Sequence, residues 1–261
     1  MNRAFSALPS GLASWSNVLM SDADFPRVRP CGDAALAIEL GAEIDADLNG
    51  RVLALDAVVA QAKPPGLIET IPTYCTLFVA YNPLITDFAT LSGWLLNAAR
   101  QPLSAPKPGR IWRFPVCYGG AHGEDLPFVA ATAKLSEAEV VRKHTASPYR
   151  IYMMGFLPGF TYLGGLDPDL AVSRRNDPRL TSPSGTISIG GIQTGIQCLA
   201  SPTGWHLIGR TPARTYDPAR KTVFFLEPGD GVRFVAISAD EFDALEARAA
   251  TGELIAEEVN A

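Results

Sequence analysis

The sequence predicts an α+β protein, with a small N-terminal α/β sandwich followed by a β-barrel or compact β-sandwich. Three observations carry that prediction. Two stretches with helical apolar spacing alternate with strand-like runs before residue 100. Residues 101–110, QPLSAPKPGR, then form a stiff Pro-rich linker. Beyond Tyr149, many short apolar runs are punctuated by Gly and Pro, the spacing of a closed or sandwiched β architecture.

The elements follow in order. Residues 1–26 read as a flexible extension. Pro9, Ser10 and Gly11 interrupt its apolar stretch, and no small-x-small cleavage site follows. Pro30 and Gly32 mark a turn, and residues 34–40 read as a strand. Residues 45–62 place Leu48, Val52, Leu55, Val58 and Val59 on one helical face, and Pro64, Pro65 and Gly66 stop that helix. Residues 67–72 and 75–81 read as two strands. Residues 87–100 form a second helix on Phe88, Leu91, Leu95 and Leu96. The N-terminal domain is therefore expected to span 27–105 and the barrel domain 106–261.

In the second domain, residues 111–116 read as a strand, Tyr118-Gly119-Gly120 as a turn and 126–133 as a helix. Ser136 caps a further helix, with Glu137 and Glu139 in its first turn. Strands are expected at 150–153, 186–189, 207–209, 222–226 and 232–237, and a closing helix at 239–250.

Composition narrows the function. The chain has 261 residues, 47% hydrophobic and 19% charged, with a net charge of −5, which fits a globular protein with a sizeable core. A mildly acidic chain without a basic run is a poor binder of nucleic acid or anionic membrane. No apolar run approaches the roughly 18–20 residues of a membrane span. Cys31, Cys75, Cys117 and Cys198 form no CxxC pair and no zinc spacing with His, so free thiols in a reducing, cytoplasmic setting are expected. No metal site is evident, and the GxxxxGK[ST] loop, the dinucleotide fingerprint and the G-x-S-x-G elbow are all absent.

The chemistry concentrates in residues 149–217. Phe156, Pro158, Gly159 and Phe160 lie on a sharply turned segment that reads either as a pocket wall or as a buried aromatic turn. Arg174, Arg175 and Arg179 offer three guanidiniums in a Pro-punctuated loop. They suit a carboxylate or phosphate, or else ion pairs with Asp167, Asp169 or Asp177. Gln193 suits an amide or lactam, or a place on a strand edge. His206 reads as a general base near neutral pH, or as a merely solvent-facing strand histidine.

Taken in order, GFLPGFTYLGGLDPDLAVSRRNDPRLTSPSGTISIGGIQTGI (155–196) and SPTGWHLIGRTP (201–212) resemble the PxpB/KipI family, the B subunits of prokaryotic 5-oxoprolinase, also known as allophanate hydrolase subunit 1. The resemblance extends through CYGGAHGEDL (117–126), His144 and IPTYCTLFVAYNP (71–83), covering most of 27–238. It implies that the second domain is a cyclophilin-like β-barrel. It also implies a hetero-oligomeric, ATP-dependent hydrolase that converts 5-oxo-L-proline to L-glutamate. The implied partners are a PxpC-like cyclophilin-like subunit and a PxpA-like LamB/YcsF subunit, with ATP shared among them and the isolated chain inactive.

By resemblance, His144, Arg179 and Gln193 are candidate catalytic residues, with His144 as acid/base or brace and Gln193 orienting the amide. Tyr118, Phe156, Pro158, Gly159, Arg175 and Arg210 are candidate substrate- or phosphate-binding residues. The chain departs from the family pattern at Thr203 (usually Gly), at Gln197-Cys198 (usually Tyr-Pro) and at Ser173 (often Pro), all beside the expected pocket. The competing expectations are a KipI-like inhibitor of a histidine kinase and a subunit acting on another amide such as allophanate. A carboxyl-transfer role like that of the related domains of urea carboxylase lacks its Met-Lys-Met biotinylation motif.

Overall fold

The computed structural model describes residues 25–103 and 109–259. Residues 1–24 of the expected extension and 104–108 of the linker lie outside the described residues. The expected α+β class is the observed one: a four-stranded sheet with two helices, and a separate closed barrel of seven strands.

The first layer comprises β1 (Arg27–Pro30), β2 (Ala35–Glu39), α1 (Ala46–Ala62), β3 (Leu67–Pro72), β4 (Thr76–Tyr81) and α2 (Phe88–Arg100). Its sheet is antiparallel in the order β1-β2-β4-β3. Local chemistry sets the helix ends. The Asp45 carboxylate accepts the Asp47 and Leu48 N–H groups, both at 2.9 Å, and opens α1. Lys63 turns left-handed and closes it ahead of Pro64. Asp87 caps α2 through the Thr90 N–H at 2.8 Å. Period-two residues of the sheet (Leu36, Ile38, Leu77, Val79) meet the helical stripe Val52, Leu55, Val59, Leu91 and Leu95 in one buried core.

The barrel runs through β5 (Ile111–Tyr118), α3 (Leu126–Ala133), α4 (Glu137–Ala146), β6 (Tyr149–Met154), β7 (Thr161–Gly164), β8 (Arg179–Ser182), β9 (Thr186–Gly190), β10 (Gln193–Ile196), β11 (Ser201–Thr203), β12 (His206–Arg210), β13 (Gly231–Ala236), α5 (Ala239–Ala250) and β14 (Glu257–Val259). The strand order is β12-β9-β10-β7-β6-β13-β5. Closure comes from β12 pairing with the end of β5, Gly209 with Tyr118 and Arg210 with Cys117. β14 extends the sheet beside the start of β5, and β8 and β11 form a separate two-stranded ribbon. Ser136 and Ser238 open α4 and α5 with full capping boxes to Glu139 and Glu241.

One expected strand is absent. Residues 222–226 make a single bridge, Tyr216 to Phe224. Phe225 and Leu226 are apolar because they join the barrel core, where the Phe225 ring lies 4.7 Å from that of Trp112. Burial there comes through side chains without a backbone ladder. The short strands β1, β7, β8, β10, β11 and β14 go beyond those that the sequence pattern predicts. β10 is buried along its whole length, so it carries no alternation for a pattern to detect.

The two layers meet through Asn49, on α1 and fully buried. Its amide nitrogen donates to Thr73 O and Tyr152 O, both at 3.0 Å, and its side-chain oxygen accepts from Arg150 at 3.3 Å. A saturated carboxamide of this kind fixes the β3–β4 turn against β6.

Candidate functional site

The turn before β7 builds a cleft. Gly155 to Gly159 reverses the chain, with Phe156 at φ 70° and Gly159 at φ 78°. A Cβ at Gly159 would stand 2.7 Å from that of Tyr216, so only glycine fits. The reversal presents Phe156 and Phe160 beside Tyr162 of β7 and Trp205 at the start of β12. Together with Arg174 and Pro202-Thr203-Gly204 they line a cleft of about 200 Å³. The rings pack edge to face: Phe156 on Phe160 at 5.8 Å, Phe160 on Trp205 at 6.3 Å and Tyr162 on Trp205 at 6.0 Å. Trp205 lies flat against Gly190, where any Cβ would sit 2.6 Å from the indole.

Arg174 stands at the rim, its guanidinium 5.7 Å from the Trp205 ring centre. Among the described residues it has no carboxylate partner. Burial raises the Tyr162 phenol above its ordinary value, so it remains protonated. No carboxylate, imidazole or thiol lines the cleft.

The neighbouring arginines are committed elsewhere. Asp125, buried just ahead of α3, accepts Arg175 at 3.2 Å and Arg179 at 2.8 Å on one oxygen, and the Leu207 N–H at 2.8 Å on the other. Glu124 takes the Arg179 Nε at 2.9 Å. The ion-pair partner is therefore Asp125, not the sequence-near Asp167, Asp169 or Asp177. Arg175 does touch Asp177, but through its backbone oxygen. Arg210 is also occupied, by Glu246 at 3.1 Å and by Ser184 O at 3.2 Å, with Phe242 beneath it.

His144 lies inside the barrel with no exposure. Its Nδ1 is 2.8 Å from the Tyr118 hydroxyl and its Nε2 3.0 Å from Thr194 Oγ1, while the ring stacks on Phe234. Thr194 donates its own proton to Ser188 O, so Nε2 must carry the imidazole proton and Tyr118 must donate to Nδ1. Burial pulls the imidazole down to about 3 and holds the Tyr118 phenol well above its usual range. Both groups are neutral and hydrogen-bonded, and neither lines the cleft.

Of the candidate residues, the structure brings Phe156 into the cleft and sets Pro158 and Gly159 in the turn behind it. His144 is interior with the partly buried Tyr118 packed against it, and Arg175, Arg179 and Arg210 are in ion pairs. Gln193 sits at the junction of the layers, its amide bonded to the Tyr74 hydroxyl. His206 does not face solvent as its strand position suggests: it is buried, stacked 4.6 Å above Phe128, and bonded to Ser173 O at 3.0 Å. Of the departures from the family pattern, Gln197 is structural: it accepts from Ser182 Oγ and donates to Ser182 O and Leu199 O. Thr203 lines the cleft itself, its hydroxyl accepting the Trp205 N–H at 3.2 Å. Sequence reasoning places Arg174 among three arginines suited to an anion without separating it from Arg175 and Arg179, and it does not single out Trp205 or Asp125 as site residues, although all three lie within the segments that carry the resemblance. Among the described residues no cluster of His, Cys, Asp and Glu could hold a metal, and no helix is long and apolar enough to cross a membrane.

Comparison with known proteins defines the class first. A family model described as "Carboxyltransferase domain, subdomain C and D" matches residues 26–226. The 5-oxoprolinase B subunit of Bacillus subtilis is 36% identical over 234 residues, covering 84% of this chain and 95% of that protein. The crystal structure of TTHA0988 superposes with a TM-score of 0.70 at 36% identity, covering 82% of this chain but only 40% of that longer one. The K. lactis urea amidolyase superposes with a TM-score of 0.77 over 89% of this chain and 16% of that one. At 18% identity, this match shows the fold alone. The chain belongs to this carboxyltransferase-domain family, in the branch of the 5-oxoprolinase B subunits.

Proposed function

We propose that this chain is the B subunit of an ATP-dependent 5-oxoprolinase, that its aromatic cleft holds 5-oxo-L-proline, and that partner subunits supply the remaining catalytic groups. The observation that carries this reading is the lining of the cleft: four rings, one cation without a carboxylate, and no acid or base active near neutral pH. Arg174 would pair with the substrate carboxylate by a charge-assisted fork. The rings would cover the flat lactam and exclude water from it. Tyr162 would donate to a lactam oxygen.

Lactam opening needs more than this. The amide carbonyl must be activated, which coupling to ATP accomplishes by phosphorylating its oxygen, and water must then be directed at the carbon. Arg175, Arg179 and Arg210 are already neutralised by Asp125, Glu124 and Glu246, so we assign the triphosphate and the base to the partners. In this reading the partners are the second cyclophilin-like subunit and the LamB/YcsF-type subunit. His144 braces the barrel, and Gln193 anchors the layer junction. The same reading sets the complex in the cytoplasm, where ATP is abundant.

The test is to co-express the chain with its A and C partners, omit each in turn, and measure 5-oxoproline-dependent release of phosphate and glutamate. Turnover is expected only with all three present. A fully assembled complex that leaves 5-oxoproline untouched, or turnover that persists without this chain, would sink the proposal.

A further inference from the structure

The cleft wall continues out of the barrel into the other layer. Tyr74 sits at the tip of the β3–β4 hairpin, half-buried, with its ring 6.2 Å from Tyr162 and edge-on at 75°. Its other side meets Tyr152 at 6.0 Å. Its hydroxyl is bonded to the Gln193 amide nitrogen on β10. Tyr162 in turn packs on Phe160 at 4.7 Å and on Trp205 at 6.0 Å, the two buried rings of the cleft. Tyr74 thus belongs to one continuous ring cluster that runs from the cleft through Tyr162 to Tyr152, and it is the member that the N-terminal layer contributes.

The hairpin tip is held at several points. Asn49 donates to Thr73 O at 3.0 Å and lies 3.3 Å from Tyr74 O, while its other contacts grip β6. Within the turn, the Thr73 N–H and hydroxyl both reach Thr76 O at 2.9 Å. A backbone fixed in this way leaves the Tyr74 ring little freedom, and the Gln193 bond fixes its far end. Arg174 is near enough for its charge to act on both the Tyr74 and the Tyr162 phenols.

We propose that Tyr74, anchored through Gln193, is a positioning residue that holds Tyr162 edge-on and so sets the aromatic wall of the cleft from the N-terminal layer. The proposal rests on the cleft being the substrate site. It gives the N-terminal layer a task in the reaction: the barrel supplies the lining and the hairpin supplies the brace. It also accounts for Gln193 without substrate contact, since its buried amide is committed to Tyr74.

The test uses the assembled complex and compares Tyr74→Phe, Gln193→Leu and the double variant, reading KM for 5-oxoproline separately from kcat. Tyr74→Phe keeps the ring and removes only the anchoring hydroxyl, so folding is preserved. Each single variant is expected to raise KM about three- to tenfold with kcat little changed, and the double variant to be no worse than the poorer single, because both remove the same bond. Unchanged KM in both singles, or effects that multiply in the double, would overturn it. Val59→Ala, which loosens the core of the same layer away from the tip, should lower the melting temperature and leave KM alone; an equal rise in KM there would reduce the Tyr74 effect to stability. Arg174→Ala separates the two layers of argument. If it raises KM while Tyr74→Phe and Gln193→Leu do not, the positioning role alone fails; if it leaves KM unchanged, the cleft assignment fails and takes this inference with it.

Discussion

Arg174 and Arg175 are consecutive residues, and the protein uses them in opposite ways. Arg175 turns toward the start of α3, where with Arg179 it converges on Asp125. Arg174 turns to the cleft, rests over Trp205 and meets no carboxylate among the described residues. The first region is an internally paired electrostatic unit: two guanidiniums, the buried Asp125 carboxylate, the exposed Glu124 and a backbone N–H that needs an acceptor. The second is open, with a cation and four rings whose polar complement is missing from the described residues. The difference teaches that residue type alone does not mark a binding site. What distinguishes Arg174 is a charge that faces an aromatic cleft and has no carboxylate partner among the described residues.

The sharpest way to break that contrast is to remove Asp125. Asp125→Ala removes the carboxylate of Arg175, leaves Arg179 with Glu124 alone and strands the Leu207 N–H, and should cost about 3–5 kcal/mol, read by denaturant unfolding. An effect within about 0.5 kcal/mol, the range of an ordinary surface substitution, would show that the cluster is a solvated surface pair after all.

His144 extends the closed side of the comparison into the barrel. Its imidazole is held at about 3, below the ordinary 6.5 of the unfolded chain, so the unfolded state takes up the proton first as pH falls. Stability owed to this group is therefore constant above neutrality. It declines as pH drops from the ordinary imidazole value toward the depressed one, by at most about 1.4 kcal/mol per pH unit. His144→Gln should cost about 2 kcal/mol at pH 7 through its two lost hydrogen bonds, and should flatten that acid limb in urea titrations. It should leave the pH profile of kcat in place. A loss of kcat on the order of 10²–10⁴ in a folded variant would restore His144 as an acid or base.

The open side predicts the reverse pattern. Arg174→Ala should raise KM by about 10- to 100-fold, the loss of one charge-assisted contact, with the melting temperature nearly unchanged because no intramolecular ion pair is broken. Arg174→Lys should recover part of that loss, since the charge remains and the fork does not.

How much of this is legible in the sequence follows from the same physics. Helices α1 and α2 announce themselves by periodicity and α4 by its Ser136 cap, which are local properties. The turn 155–159 announces itself by its glycines. The pairing of Asp125 with Arg175 and Arg179 spans some fifty residues and depends on barrel closure, so sequence proximity points to the wrong acids. His144 looks chemical because histidine titrates near neutrality; complete burial, which no local pattern records, removes that property. Arg174 is visible within the Arg174-Arg175 pair, but only the fold shows which of the two is free.

The smallest expected effect tests the turn itself. Phe156 is 64% exposed and sits at φ 70°, a conformation that bulky residues rarely adopt. Little buried area would be lost on its removal, and the backbone would be relieved. Phe156→Gly should therefore leave stability unchanged or raise it by up to about 1 kcal/mol, although glycine's extra freedom in the unfolded chain offsets part of the gain. If the ring serves the cleft, the same variant should raise KM for 5-oxoproline by a few fold, the contribution of one partly exposed aromatic contact. A variant both more stable and weaker in binding is the signature of strain held for function. A variant that loses stability with KM intact would make Phe156 a packing residue of the turn, and the aromatic wall would then begin at Phe160.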